Sequence, residues 1–119
     1  MQVINLKEKF SLFNETWSPK LVGELNGQHI KVSKIKGEFI WHKHDDADEM
    51  FLVIKGSINI EMRNETVTLN EGEFFIVPKG VEHKPFAENE AHLMLFEPAG
   101  TKNTGEVDNE FTIHNPQRI

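Results

Sequence analysis

Residues 42–83 read HKHDDADEMFLVIKGSINIEMRNETVTLNEGEFFIVPKGVEH, and four side chains in that stretch, His42, His44, Glu49 and His83, set the reading of the whole chain. His42 and His44 are two apart, so on an extended segment they point to the same face. Glu49 can return to that face across a turn at Lys43 to Asp48, and His83 would arrive from a distant strand. Three neutral imidazoles and one carboxylate suit one divalent transition ion per chain, Mn, Fe, Ni, Co or Zn, and leave coordination positions for water or substrate. The glycines within the stretch, Gly56, Gly72 and Gly80, supply turn conformations that a Cβ would strain.

Working outward, short apolar runs alternate with turn residues. Strands are predicted over Leu21 to Leu25, His29 to Ile35, Glu38 to Trp41, Glu49 to Lys55, Ser57 to Arg63, Thr66 to Leu69, Glu73 to Val77, His83 to Phe86 and Ala91 to Glu97. Asn26-Gly27 between the first two is the strongest hairpin signal in the chain. Many short strands with regular turns and little helix predict an all-β sandwich or barrel. At the N-terminus, Asn5 before Leu6, Lys7, Glu8, Lys9 and Phe10 predicts a short capped helix, with an extended arm as the alternative. After Pro98 the chain turns polar, and a loop with a loosely held tail is expected. The division is thus one domain over 1–119, with a core about 20–98, an arm at 1–19 and a tail at 99–119.

Strand parity extends the site. If Glu49 faces inward, Phe51 and Val53 do too, while Met50, Leu52 and Ile54 face the other way, so both faces of that strand are apolar. Ile40 shares the face of His42 and His44, and Pro85 that of His83. A polar patch on an apolar wall is how small-molecule pockets are commonly built. Phe39, Met62, Phe75, Phe86, Met94 and Phe96 are further wall candidates, each with plain core as the competing reading. His29, His92 and His114 lie outside the pattern and are read as ordinary polar residues. The run Asp45-Asp46-Ala47-Asp48 lacks the alternating oxygen ligands of a calcium loop and reads as solvated.

The pattern His42-x-His44-x4-Glu49-x6-Gly56, followed by Gly72-x5-Pro78-x-Gly80-x2-His83, resembles the two signature motifs of the cupin superfamily. Two positions depart from it. Gly37 stands one residue closer to His42 than the family's opening glycine does, and Ala87 occupies the place of a closing asparagine. Neither is a ligand position. The resemblance implies a cupin-type antiparallel β-barrel or jelly roll, with His42, His44, Glu49 and His83 as metal ligands. It also implies an activity somewhere among dioxygenases, isomerases, decarboxylases, epimerases and sugar-binding modules, and a homodimer.

Composition narrows the partners. The chain has 119 residues and a net charge of −6, and its 13 basic residues are scattered, with Arg63 and Arg118 the two arginines, which argues against nucleic acid. Zero cysteines leave nitrogen and oxygen as metal ligands and fit a cytoplasmic protein. Met1 to Phe13 carries no uninterrupted apolar run, so neither an export signal nor membrane association is expected. With four protein ligands, an octahedral ion keeps two positions for a substrate enolate or carboxylate, or for substrate and dioxygen together. A metal-dependent dioxygenase or isomerase acting on a small polar, enol or sugar-like molecule is the leading expectation, and a non-catalytic small-molecule or sugar-binding module the alternative. No general acid or base can be assigned: Glu61, Glu73, Glu82 and Glu97 are available, but their orientations are unsettled. Oxalate and phosphosugars rank lower, because a dicarboxylate commonly calls for an arginine fork. A second subunit is expected to cover Met50, Leu52 and Ile54 together with Leu12, Phe13 and Trp17.

Overall fold

The hairpin signal at Asn26-Gly27 is realised by two residues at positive φ, 51° and 78°, the geometry of a tight two-residue turn. It joins β1 (Lys20–Leu25) to β2 (Gln28–Glu38), paired antiparallel from Leu25↔Gln28 back to Lys20↔Val32. The remaining strands are β3 (Glu49–Lys55), β4 (Ile58–Met62), β5 (Thr66–Leu69), β6 (Phe74–Val77) and β7 (His83–Pro98). The structure is a computed structural model and describes residues 1–119. All strand pairings are antiparallel, as the all-β reading requires.

β7 is the spine. Its second half lies between β2 and β3, giving the order β1-β2-β7-β3-β6, while its first half pairs with β4, which in turn pairs with β5. The predicted strands His83 to Phe86 and Ala91 to Glu97 are therefore one strand of 16 residues. The polar run Glu88-Asn89-Glu90 looks like a break in the sequence, yet it is the exposed bend at which the strand leaves β4 and takes up β3. β2 bends opposite it, with a register shift between Ile35 and Gly37 and a positive φ of 78° at Gly37. The predicted strand Glu38 to Trp41 does not form. Glu38 ends β2, and the next residues run beside β7 with isolated backbone bonds, Phe39 N to Pro85 O at 3.0 Å and a reciprocal His42–His83 pair.

Two apolar clusters follow from strand alternation. Inward residues of β2, β3, β4 and β7, among them Ile35, Phe51, Val53, Ile60 and Leu93, fill the space between the sheets. On the outer face of β1 and β2, Phe10, Phe13, Val22 and Val32 form a smaller cluster under α1 (Leu6–Phe10). The Asn5 side chain caps α1 by accepting from Glu8 N at 2.9 Å, as the sequence predicts. Phe13 is thus covered by its own chain, which corrects the expectation that a second subunit covers it.

The tail is also corrected: it is tied down. Leu21 N donates to Gln117 O at 2.8 Å and Ile119 N to Leu21 O at 3.0 Å. Thr104 is fully buried, with its hydroxyl 2.7 Å from that of Thr112. Gly105 has a φ of 62° and lies so close to Lys43 that a Cβ would run into the Lys43 carbonyl. Hydrogen bonding and close packing hold this polar segment where no apolar run announces it.

Candidate metal centre

His42, His44, Glu49 and His83 come from three separate places and meet inside the barrel, all four buried. Glu49 opens β3 and His83 opens β7. His42 is paired with His83 through backbone bonds of 3.0 and 2.9 Å. The acidic loop between His44 and Glu49 is pinned against the Pro78-Lys79-Gly80 turn, with Gly80 N donating to His44 O and Lys79 N to Asp48 Oδ1, both at 2.8 Å. Asp48 is therefore a clamp on the loop and takes no place among the four. One nitrogen or oxygen from each of the four lies within 4.8 Å of the others. Donors about 2.1 Å from a shared ion stand roughly 3 to 4 Å apart, so the cluster fits one transition ion.

Backbone carbonyls orient the rings. His42 Nδ1 faces Ile40 O and His83 Nδ1 faces Val81 O, each at 2.9 Å, which puts a proton on Nδ1 and turns Nε2 toward the cluster. His83 Nε2 stands 3.3 Å and His44 Nε2 3.4 Å from the same oxygen, Glu49 Oε1. Bound to oxygens through both ring nitrogens, His83 needs either a second proton or a cation at Nε2. His44 Nε2 is buried without a hydrogen-bond partner. A divalent ion among these atoms satisfies all of them at once, so the residues fit such an ion, and the site could hold one.

Electrostatics point the same way. Burial pushes the His42 imidazole down to about 4, helped by the neighbouring His83, so His42 is a neutral donor at neutral pH. Burial raises Glu49, but the polar neighbours Glu97, His44 and His83 outweigh it and hold its carboxyl well below the usual range. Glu97 goes the other way: burial and then the charge of Glu49 raise it well above the usual range. Two adjacent buried carboxyls do not both ionise, so the proton falls to Glu97, whose Oε2 is buried without a hydrogen-bond partner. Lys31, itself buried, donates to the other side of Glu97 at 2.9 Å and to Thr101 O at 3.3 Å.

The parity predicted for β3 holds. Phe51 and Val53 are buried with Glu49, while Met50, Leu52 and Ile54 are half-buried on the outer face. A narrow cavity of about 40 Å³ opens beside the cluster, with His42 and Glu49 in its wall and Phe39, Phe51 and Pro85 around them. Of the six further wall candidates, Phe39 alone lines it; Phe86, Met94 and Phe96 lie half-buried on the alternate side of β7, and Ile40 contributes its carbonyl. His29, His92 and His114 stay outside, His29 against Glu24 and His92 stacked on Phe10. None of Glu61, Glu73, Glu82 and Glu97 lines the cavity.

Sequence reading missed Trp17, Pro19, Ser33, Ile35, Leu93, Leu95 and Asn103, which complete the cavity wall. Trp17, expected to meet a partner subunit, instead stacks on Phe39 at 4.7 Å, with Phe111 of the tail against both rings. Ser33 was recoverable from parity, since it alternates with Ile35 on β2. The inward setting of Glu97 was also recoverable, because Leu93, Leu95 and Glu97 share a face. Asn103 carried no local signal.

Comparison with known proteins agrees with this geometry. A solved cupin-2 domain protein from Shewanella frigidimarina is 49% identical, covers 81% of this chain and 94% of its own, and superposes with a TM-score of 0.80. A protein from Neisseria meningitidis is 30% identical over 82% of this chain and 100% of its own, with a TM-score of 0.76. An uncharacterized protein of Bacillus subtilis is 31% identical over 80 residues, 66% of this chain and 65% of that protein's length. The cupin domain pattern matches residues 29–97, from β2 through the inward Glu97 of β7, and so takes in the whole four-residue cluster. The chain belongs to the cupin family.

Proposed function

We propose that the chain is a metal-dependent enzyme in which His42, His44, Glu49 and His83 bind one divalent transition ion, Mn, Fe, Ni, Co or Zn. Its substrate is a small molecule held in the adjoining cavity. The observation that carries this is the convergence of four buried donors, two of which, His42 and Glu49, also form part of a cavity wall. When bound, the ion supplies Lewis-acid or redox chemistry at the positions the protein leaves free. The chain's own residues do the rest. Val81 and Ile40 carbonyls fix the ring orientations of His83 and His42, and the apolar walls exclude water from a ligand.

Within the dioxygenase and isomerase classes, the cavity favours the first. An isomerase moves protons between substrate atoms and calls for a positioned acid or base, and Glu49 is the one carboxyl in the wall, already committed to the cluster. The same observation supports the second reading, a binding module that holds its ligand without converting it.

Elemental analysis tests the proposal. Wild type purified aerobically and anaerobically should carry near-stoichiometric metal, and His42→Ala and Glu49→Ala should lose it while still showing a cooperative melt. Absence of transition metal in wild type after reconstitution overturns the enzyme reading and leaves a metal-free binding barrel. We further propose a homodimer. No helix is long and apolar enough to cross a membrane, and the absence of cysteine supports a cytoplasmic site of action.

A further inference from the structure

The cavity beside the four-residue cluster is selective in what it offers a ligand. Its flat surfaces are Trp17, Phe39 and Phe51 with the rings of Pro19 and Pro85. The one charged side chain in the wall is Glu49, and neither lysine nor arginine lines it. Two polar side chains remain, Ser33 and Asn103. Asn103 is partly engaged, one amide N–H donating to Phe111 O and its oxygen accepting from Ile113 N, both at 2.8 Å, which leaves its second N–H. Ser33 is buried, and its hydroxyl has a single long contact, 3.5 Å to Lys34 O, so the Ser33 hydroxyl and the second Asn103 N–H are the side-chain hydrogen-bonding groups free for a ligand.

We infer that the substrate is an uncharged, flat, conjugated molecule, an aromatic or enolic compound. One or two oxygens at one end face His42 and Glu49, and no more than two further polar groups reach Ser33 and Asn103. This rests on the metal-dependent reading for the oxygen end and on the cavity wall alone for the rest. A sugar would bury several hydroxyls without partners, each lowering affinity by about ten-fold or more. Beyond what the ion itself can receive, the further charge of a dicarboxylate or phosphate would find no cationic side chain in the wall. A flat ring between aromatic and proline faces loses neither.

The test uses the full chain loaded with zinc, which is redox-inert, in a Trp41→Phe background so that Trp17 is the sole fluorophore. Catechol is the flat neutral probe, with oxalate and glucose 6-phosphate as charged ones. The expected result is saturable quenching by catechol at least ten-fold tighter than binding of either anion. Phe39→Leu, which keeps the apolar bulk and removes the flat ring, should weaken catechol by roughly three- to ten-fold without lowering zinc content. Tighter binding of oxalate or the sugar phosphate overturns the inference, and so does catechol binding indifferent to Phe39→Leu. If the chain takes up no metal, the metal-dependent reading fails separately. Catechol is then titrated into the metal-free protein, where binding sensitive to Phe39→Leu upholds the flat-ligand inference and absence of binding ends it.

Discussion

His42 is held near a pKa of about 4 by burial and by His83, well below the ordinary histidine value of 6.5. The sign of the resulting pH dependence follows directly. Between pH 6.5 and 4 the unfolded imidazole binds a proton that the folded one refuses, so stability falls as pH drops through that window. Each unit of displacement is worth about 1.4 kcal/mol, so moving metal-free protein from pH 7.5 to pH 5 should cost on the order of 2 kcal/mol through His42. Urea unfolding of EDTA-stripped wild type and His42→Gln at both pH values measures it. The loss on acidification should be about 2 kcal/mol smaller in the variant, and equal losses would remove His42 as the cause. At this scale the sequence was most informative: the four cluster residues could be read from donor type and spacing. Of the surrounding polar residues, Glu97 could be placed by parity with Leu93 and Leu95, but Lys31 could not, since it looks like a surface residue until β2 and β7 are placed side by side at Lys31↔Leu95 and His29↔Glu97.

Among the elements, the hairpin, the helix cap and the β3 alternation were legible because each is a local pattern. β7 was not, because Glu88-Asn89-Glu90 has the composition of a turn and only pairing with β4 on one side of the bend and β3 on the other keeps it a strand. The tail was illegible for a related reason: threonine hydroxyls and one close glycine dock it, and these make no periodic signal. Gly105 gives this a test. It sits against the backbone of Lys43, between His42 and His44, so Gly105→Ala must displace either the tail or the cluster loop. A positive φ of 62° adds strain for any Cβ. We expect a loss of about 1 to 3 kcal/mol, read by urea unfolding, and weaker zinc binding by dialysis. A variant that melts like wild type and binds zinc equally would show that the tail and the cluster are independent. Phe111→Ala, which removes a ring from Trp17 and Phe39 without touching Lys43, should cost about 1 kcal/mol and leave zinc binding unchanged.

Across the whole molecule, the outer face of the β1-β2-β7-β3-β6 sheet sets the expected assembly. Register places Ile30, Phe96, Met50 and Ile76 in one row across four strands, and Met94, Leu52 and Phe74 in the next. α1 covers only the side over β1 and β2, so the rows run uncovered to the β6 edge, where Phe74 is 59% and Ile76 50% exposed. A contiguous apolar face of this kind is uncommon on a monomer, whereas a two-fold axis lets the same face cover itself. It also shelters β6, whose outer edge has no strand partner. The second copy should therefore sit on the β3 and β6 side, with Met50 and Leu52 near its centre as parity suggests, and with Phe13 and Trp17 left to their own chain. Light scattering at micromolar concentration should give twice the chain mass of 13.7 kDa. Phe74→Glu with Ile76→Lys should return it to the single-chain mass, with zinc content retained because neither side chain approaches the cluster. A wild-type monomer at that concentration, or a double variant that still dimerises, would place the interface elsewhere or remove it.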